Sequence, residues 1–222
     1  MPRLALPVVG RGGVVPYVAT WTSEQALTAG IIGRGRQGIG YVDETSVDRD
    51  RDGVLWIRMS LRPGHGRPLY NQMHPLRQRR AMKRLLCQVC AGPADQTSDG
   101  HLWLLTDHRQ DWDGWPEGSA NPFPPVCLAC ARLSTQLCPP LRRGFVAVRA
   151  HSEPHGVVGV QFQADYPLSG LRLAEDDGGI PVAYNDPVLP WTLATQLTRT
   201  LHGCALVDLD QLTDNVMPAG IR

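Results

Sequence analysis

Two short cysteine pairs, Cys87-Gln88-Val89-Cys90 and Cys127-Leu128-Ala129-Cys130, constrain this chain more than any other feature. Thirty-six residues separate them. A Cys-x-x-Cys turn sets two thiols on one side of a tight knuckle. Two such turns supply the four soft donors of a tetrahedral shell, whose usual occupant is zinc at about 2.3 Å from each sulfur. The flanking residues agree. Ala91-Gly92-Pro93 is a suitable exit from a knuckle, Ser98-Asp99-Gly100 reads as a turn, and His101 to Leu105 reads as a returning strand. Pro124-Pro125 delivers the second pair stiffly, and Ala129 to Gln136 can continue as a helix. Four protein thiolates leave no open position, so the zinc is read as structural. The alternative is a redox pair or a disulfide. Cys138 and Cys204 are left over: Cys138 precedes Pro139-Pro140 at a loop end, and Cys204 reads as a core thiol.

Around this module the pattern is α+β: small mixed sheets, two main helices and the four-cysteine zinc module. We expect a β-rich segment over 1–74, a basic helix plus zinc module over 75–140, and an α+β segment over 141–222, packed as one or two compact units. The stretch Pro75 to Leu86 reads as a helix. At 100° per residue Ala81, Met82, Leu85 and Leu86 share one side, and Arg77, Arg80, Lys83 and Arg84 the other, with Arg79 at the border. The stretch Pro190 to His202 reads as the second helix, with Leu193, Ala194, Leu197 and Leu201 on one face and Gly203 as its stop. A short helix is expected over Thr22 to Thr28 and a mobile loop over Gly33 to Gly40. Strands are expected at Val54 to Met59, Gly144 to Ala150, Gly156 to Phe162 and Cys204 to Leu209. Asp48 to Gly53 resembles the opening of a calcium loop, but Met59 stands where that loop needs a bidentate Glu, so a plain turn is expected.

Charge is distributed unevenly although the net value is only +1. No acidic residue falls between Gly53 and Ala94, where seven arginines and Lys83 lie; from Asp95 to Glu117 acids dominate. The bands either polarise the surface or neutralise each other. Guanidinium forks suit phosphates and carboxylates, so Arg77, Arg80, Lys83 and Arg84 are candidates for contact with DNA, RNA or an acidic protein surface. Exposed Trp112 and Trp115 would favour single strands, whereas Trp103 belongs in the hairpin core. No apolar run reaches the roughly 20 residues of a membrane span, and Met1 to Val15 makes a poor export signal, so a cytoplasmic location is expected.

A knuckle, a hairpin, a loop and a second knuckle opening a helix is the layout of a treble clef. The stretch from Cys87 to Arg132 resembles the zinc-stapled scaffold of HNH endonucleases. That resemblance implies His108 as a general base, Asn121 as the residue orienting it, and Asp107 as a ligand to a catalytic divalent ion. The family's further metal-binding His has no counterpart, since Ala131, Arg132 and Leu133 stand in its place. The leading reading is a zinc-stabilised protein that binds nucleic acid or an acidic partner through the basic helix. The alternatives are an HNH-like nuclease, or a small-molecule enzyme or accessory protein with purely structural zinc.

Overall fold

The computed structural model describes residues 8–10, 13–27, 29–110, 112–165, 170–173 and 179–212. In chain order the strands are β1 (Val8–Gly10), β2 (Gly13–Val15), β3 (Ala19–Trp21), β4 (Ile31–Gly33), β5 (Ile39–Tyr41), β6 (Leu55–Trp56) and β7 (Pro68–Met73). There follow β8 (Gln96–Thr97), β9 (Gly100–Thr106), β10 (Ala120–Asn121), β11 (Phe145–Asp165), β12 (Gly170–Leu173), β13 (Val182–Ala183) and β14 (Thr192–Val207). Among the described residues two α-helices complete the α+β set, α1 (Pro75–Arg84) and α2 (Leu128–Leu137). Neither is long and apolar enough to cross a membrane.

One mixed sheet of eight strands dominates, in the order β10-β14-β11-β9-β8. Strands β12 and β13 also pair with β11, and β6 runs parallel to β14. Its spine is the long antiparallel pair β11-β14, interrupted by register shifts at Arg149/His151, Pro154/Gly156 and Val158/Gly159. Such bulges bend a strand and increase its twist, and one of them accommodates Pro154, which has no N–H to give the ladder.

Strand β9 serves two cores. Trp103 and Leu105 point into a cluster with Met82 of α1, Val148, Leu197 and Leu201. Leu102 and Leu104 point the other way, among Cys87, Cys130, Val126 and Leu128. The alternation of a strand therefore puts α1 on one face and the cysteine-bearing segments on the other. Val54 and Trp56 join Met82, Trp103 and Leu197 in the first cluster, so the three sequence segments share one core. Each fully buried large apolar side chain there contributes roughly 1.5–3 kcal/mol.

Four expectations need correction. The stretch Pro190 to His202 is not a helix: after a 3-10 turn at Leu189–Trp191 it is β14. Leu193, Leu197 and Leu201 are spaced by four, which matches one face of a strand as well as one face of a helix. Thr192, Thr195, Thr198 and Thr200 tip the balance, because β-branched side chains prefer the pleated surface. Gly203 accordingly lies inside β14, at φ 61°, and does not end an element. The expected strands Gly144 to Ala150 and Gly156 to Phe162 are one, β11, which also carries His151 and His155. Residues 22–27 form a turn and extended chain, not a helix. The Thr22 hydroxyl accepts from Arg67 N–H, and the Glu24 carboxylate accepts from Trp21 N–H. Residues 33–40 form the tight connection of the β4-β5 hairpin, braced by Arg34 donating to Tyr41 O at 2.9 Å.

The Asp48–Gly53 segment is a turn in which the carboxylates of Asp48 and Asp50 are engaged by protein partners. Asp50 accepts from Asp52 N–H, Val54 N–H and the Trp56 indole, while Asp48 pairs with Arg58.

Candidate metal centre

Helix α1 ends where Leu85 turns left-handed (φ 50°), and the chain passes directly into the first knuckle. Cys87 N–H donates to Gly92 O (2.8 Å) and Ala91 N–H to Cys87 O (2.9 Å), with Ala91 at φ 59° completing the tight turn. The second pair is built on a helix start. Cys127, extended at φ −84° and ψ 156°, is the N-cap of α2, and Cys130 lies in its first turn. Backbone bonds join the two knuckles: Gln88 N–H to Pro125 O (3.0 Å) and Asp95 N–H to Val126 O (3.0 Å). Val126 N–H in turn donates to Leu102 O (2.9 Å), which fastens the assembly to β9.

The four sulfurs of Cys87, Cys90, Cys127 and Cys130 lie within 4.8 Å of one another. Cys90 Sγ and Cys127 Sγ are 3.9 Å apart. A tetrahedron with metal–sulfur bonds of about 2.3 Å has sulfur–sulfur edges of about 3.8 Å, so the donor set fits such an ion. Cys87 and Cys130 are buried, and Cys90 and Cys127 are half-buried. The arrangement is consistent with a zinc module.

The four thiols share protons. Cys90 is drawn well below the ordinary thiol pKa, chiefly by its hydrogen bonds with Cys127, Cys130 and Cys87. Cys87 falls to about 7, chiefly through Cys127 and Cys130. Cys130 moves the other way, because Cys127, Cys87 and Cys90 hold its proton. A central dication would take the place of those shared protons. Cys138, at the C-cap of α2, is outside the group. The Cys204 thiol is pushed up to about 12 by burial and by Glu117, to which it hydrogen-bonds.

The chain matches no family model, no curated protein and no solved structure. The resemblance of 87–132 to HNH endonucleases thus has no family behind it. The Asp107 carboxylate is engaged by Arg109 at 2.6 and 2.9 Å and held near about 2 by that guanidinium. His108 meets Trp115 edge-on, centroids 5.9 Å apart. Asn121 is buried on β10, its amide closed locally on Phe123 N–H and O. Strands β14 and β11 stand between β10 and β9 in the sheet, and Asp107 and His108 follow β9.

On α1 the basic residues divide. Arg77 is 5 % exposed and points inward, so it leaves the expected basic face. It forks onto Glu24 at 2.6 and 2.7 Å and donates to Ala19 O. Arg80 is exposed and donates to the Tyr17 hydroxyl at 2.9 Å. Lys83 lies 3.4 Å from Asp50, Arg79 stacks on Trp56, and Arg84 is exposed. Among the described residues no ion pair joins the basic band to the acidic one. Arg58, Arg77 and Lys83 pair with Asp43, Asp48, Glu24 and Asp50, whereas Asp95 pairs with Arg149 and Asp107 with Arg109.

Sequence reasoning missed Glu24, His74 and Gln78, all buried polar residues around α1. A signal was present. Positions 74, 77, 78, 81, 82 and 85 make an i, i+3, i+4, i+7 stripe, which the polar identities of its first three members disguised. Of the tryptophans, Trp103 is fully buried, Trp115 packs on the main core and Trp112 is exposed.

Proposed function

We propose that this is a zinc-stabilised binding protein, with one zinc ion held by Cys87, Cys90, Cys127 and Cys130 in a treble-clef-like module. The convergence of the four sulfurs within 4.8 Å carries the reading. All four corners are filled by protein, so such an ion stabilises and does not catalyse. All six thiols are free, which suits a reducing compartment such as the cytoplasm.

The binding surface in this reading is the outer edge of α1, where Arg80, Lys83 and Arg84 face solvent. Its partner is anionic: a nucleic-acid backbone or an acidic protein surface. The zinc supports that edge, because α1 runs through Leu85 and Leu86 straight into Cys87. The test has two arms. Elemental analysis should return one zinc per chain, and a chelator should lower the melting temperature. Binding to heparin or an oligonucleotide should weaken with salt and weaken further in Arg80→Ala/Arg84→Ala. Metal-free protein with an unchanged melting temperature ends the proposal; binding indifferent to both arginines ends the assignment of the surface.

A further inference from the structure

The four metal-facing cysteines are not equally placed. Cys87 and Cys130 are buried, at 0 % and 8 % exposure, whereas Cys90 and Cys127 are half-buried and reach solvent. One half-buried sulfur comes from each knuckle, and the two stand 3.9 Å apart. The bond from Gln88 N–H to Pro125 O, at 3.0 Å, holds the knuckles together beside them. A disulfide needs about 2.05 Å between sulfurs, so closing the gap asks for a movement of about 2 Å at the tips of two side chains.

Peroxides react with thiolates rather than thiols, and a reactive cysteine needs access as well as charge. Every sulfur bound to zinc is a thiolate, so access is what separates the four. Disulfides within a knuckle, Cys87–Cys90 or Cys127–Cys130, would draw out a buried sulfur packed among Leu102, Leu104, Val126 and Leu128. The two remaining cysteines belong elsewhere. Cys138 is the C-cap of α2 and Cys204 lies on β14, both outside the cluster of sulfurs. Burial and the neighbouring Glu117 keep the Cys204 thiol protonated, with its pKa at about 12.

We propose that Cys90 and Cys127 form a redox-sensitive release for the ion, in which a peroxide oxidises the pair to a disulfide that bridges the two knuckles. The inference rests on the zinc reading above and goes beyond it by making occupancy of the site depend on oxidants. The step balances. One thiolate attacks an oxygen of hydrogen peroxide, the O–O bond breaks, and a sulfenic acid and a hydroxide result. The second thiolate attacks the sulfenic sulfur, the S–S bond forms, and a second hydroxide leaves. Two protons from solvent turn both hydroxides into water. The two sulfurs are oxidised by two electrons in all, and the peroxide is reduced. Cys87 and Cys130 are then the only thiolates left at a site that needs four donors. A dithiol reductant reverses the bond by exchange, so the site can be refilled.

The experiment uses the full, zinc-loaded chain, alongside Cys138→Ser/Cys204→Ser, in which only the four module cysteines can react. Zinc per chain is measured first. Hydrogen peroxide is then added in stoichiometric amount, released zinc is followed with a chromogenic chelator, and disulfides are mapped by mass spectrometry of proteolytic fragments. Cys90–Cys127 should be the main disulfide in both proteins. Zinc should be lost in step with its formation, and dithiothreitol followed by zinc should restore full occupancy. A main product of Cys87–Cys90 or Cys127–Cys130 overturns the inference. So does a peroxide-treated chain that keeps its zinc, or a loss of zinc that dithiothreitol does not reverse. In those three cases the four-thiolate site still stands. A chain that holds no zinc before oxidation ends the zinc reading and this inference together.

Discussion

The side-chain amide of Gln78 forms a two-way hydrogen-bonded pair with the backbone of Leu197. Gln78 Nε2 donates to Leu197 O at 2.8 Å, and Leu197 N–H donates to Gln78 Oε1 at 3.0 Å. A side chain of α1 thereby continues, on the edge of β14, the pairing that β10 provides at Arg199 and Thr200. The same Nε2 reaches Pro122 O at 2.6 Å, just beyond β10. Gln78 is fully buried, so no water can replace it.

Removing that amide should be expensive. Gln78→Ala leaves the buried Leu197 N–H and two carbonyls unpartnered, each worth about 1–3 kcal/mol. We expect a loss of about 3–5 kcal/mol in urea unfolding, with Gln78→Leu losing nearly as much despite its similar volume. A loss under about 1 kcal/mol would show that these groups find other partners.

Arg77 and Arg80, three residues apart, should behave in opposite ways. Arg77→Ala leaves the Glu24 carboxylate buried without its cation and should cost about 3–5 kcal/mol of stability. Arg80→Ala should change stability by less than about 0.5 kcal/mol while weakening the binding of anionic ligands. Equilibrium unfolding alongside a binding assay separates the two effects.

Each metal-facing cysteine should be indispensable to the ion. Cys87→Ser or Cys130→Ser should lose zinc and loosen residues 87–132 towards proteolysis. Cys138→Ser and Cys204→Ser should keep a full complement of metal. Elemental analysis with limited proteolysis decides; retention of zinc in Cys130→Ser would contradict the four-thiolate site.

Stability should fall in acid. Hydrogen bonds from Arg58 hold the Asp48 carboxyl well below the usual range. Burial opposes ionisation of Glu24, but Arg77 and Trp21 N–H prevail and hold it low as well. Both groups take up protons more readily when the chain is unfolded. Their contribution is therefore complete above about pH 4.5 and is lost as pH falls towards the folded values. Thiolate protonation releases the metal over the acid range too, so the carboxylate part is isolated by comparison with Asp48→Asn. That variant should be less stable at neutral pH and show a shallower acid dependence in urea midpoints.

Gly100 permits the turn between β8 and β9. It sits at φ 102°, and a Cβ there would lie 2.2 Å from the carbonyl carbon and oxygen of Ala150. Gly100→Ala should lower the melting temperature sharply and weaken metal retention, since the same hairpin fastens Val126.

Local chemistry was the legible part of the sequence. The cysteine spacing, the Ser98-Asp99-Gly100 turn and the helix opened by Pro75 all stand where short-range rules put them. Long-range pairing was hidden. Leucines at 193, 197 and 201 satisfy two periodicities at once, and the threonines between them, paired against β11, decide for the strand. Arg77 was misplaced because its charge disguised its place in the buried stripe, and its partner, Glu24, lies 53 residues earlier. Asn121 stands six residues before Cys127, as the nuclease resemblance asks, and its amide closes on Phe123.

Because β9 sends odd-numbered side chains to one core and even-numbered ones to the other, it cannot slip by one residue without exchanging them. The ion would thus act as a rivet on a partition between two rooms. Pulling it out on the Cys87 side should be heard on the far side by Trp103, whose indole N–H reaches Ala150 O at 3.4 Å. A tryptophan that does not line the site would then report whether the ion is in place.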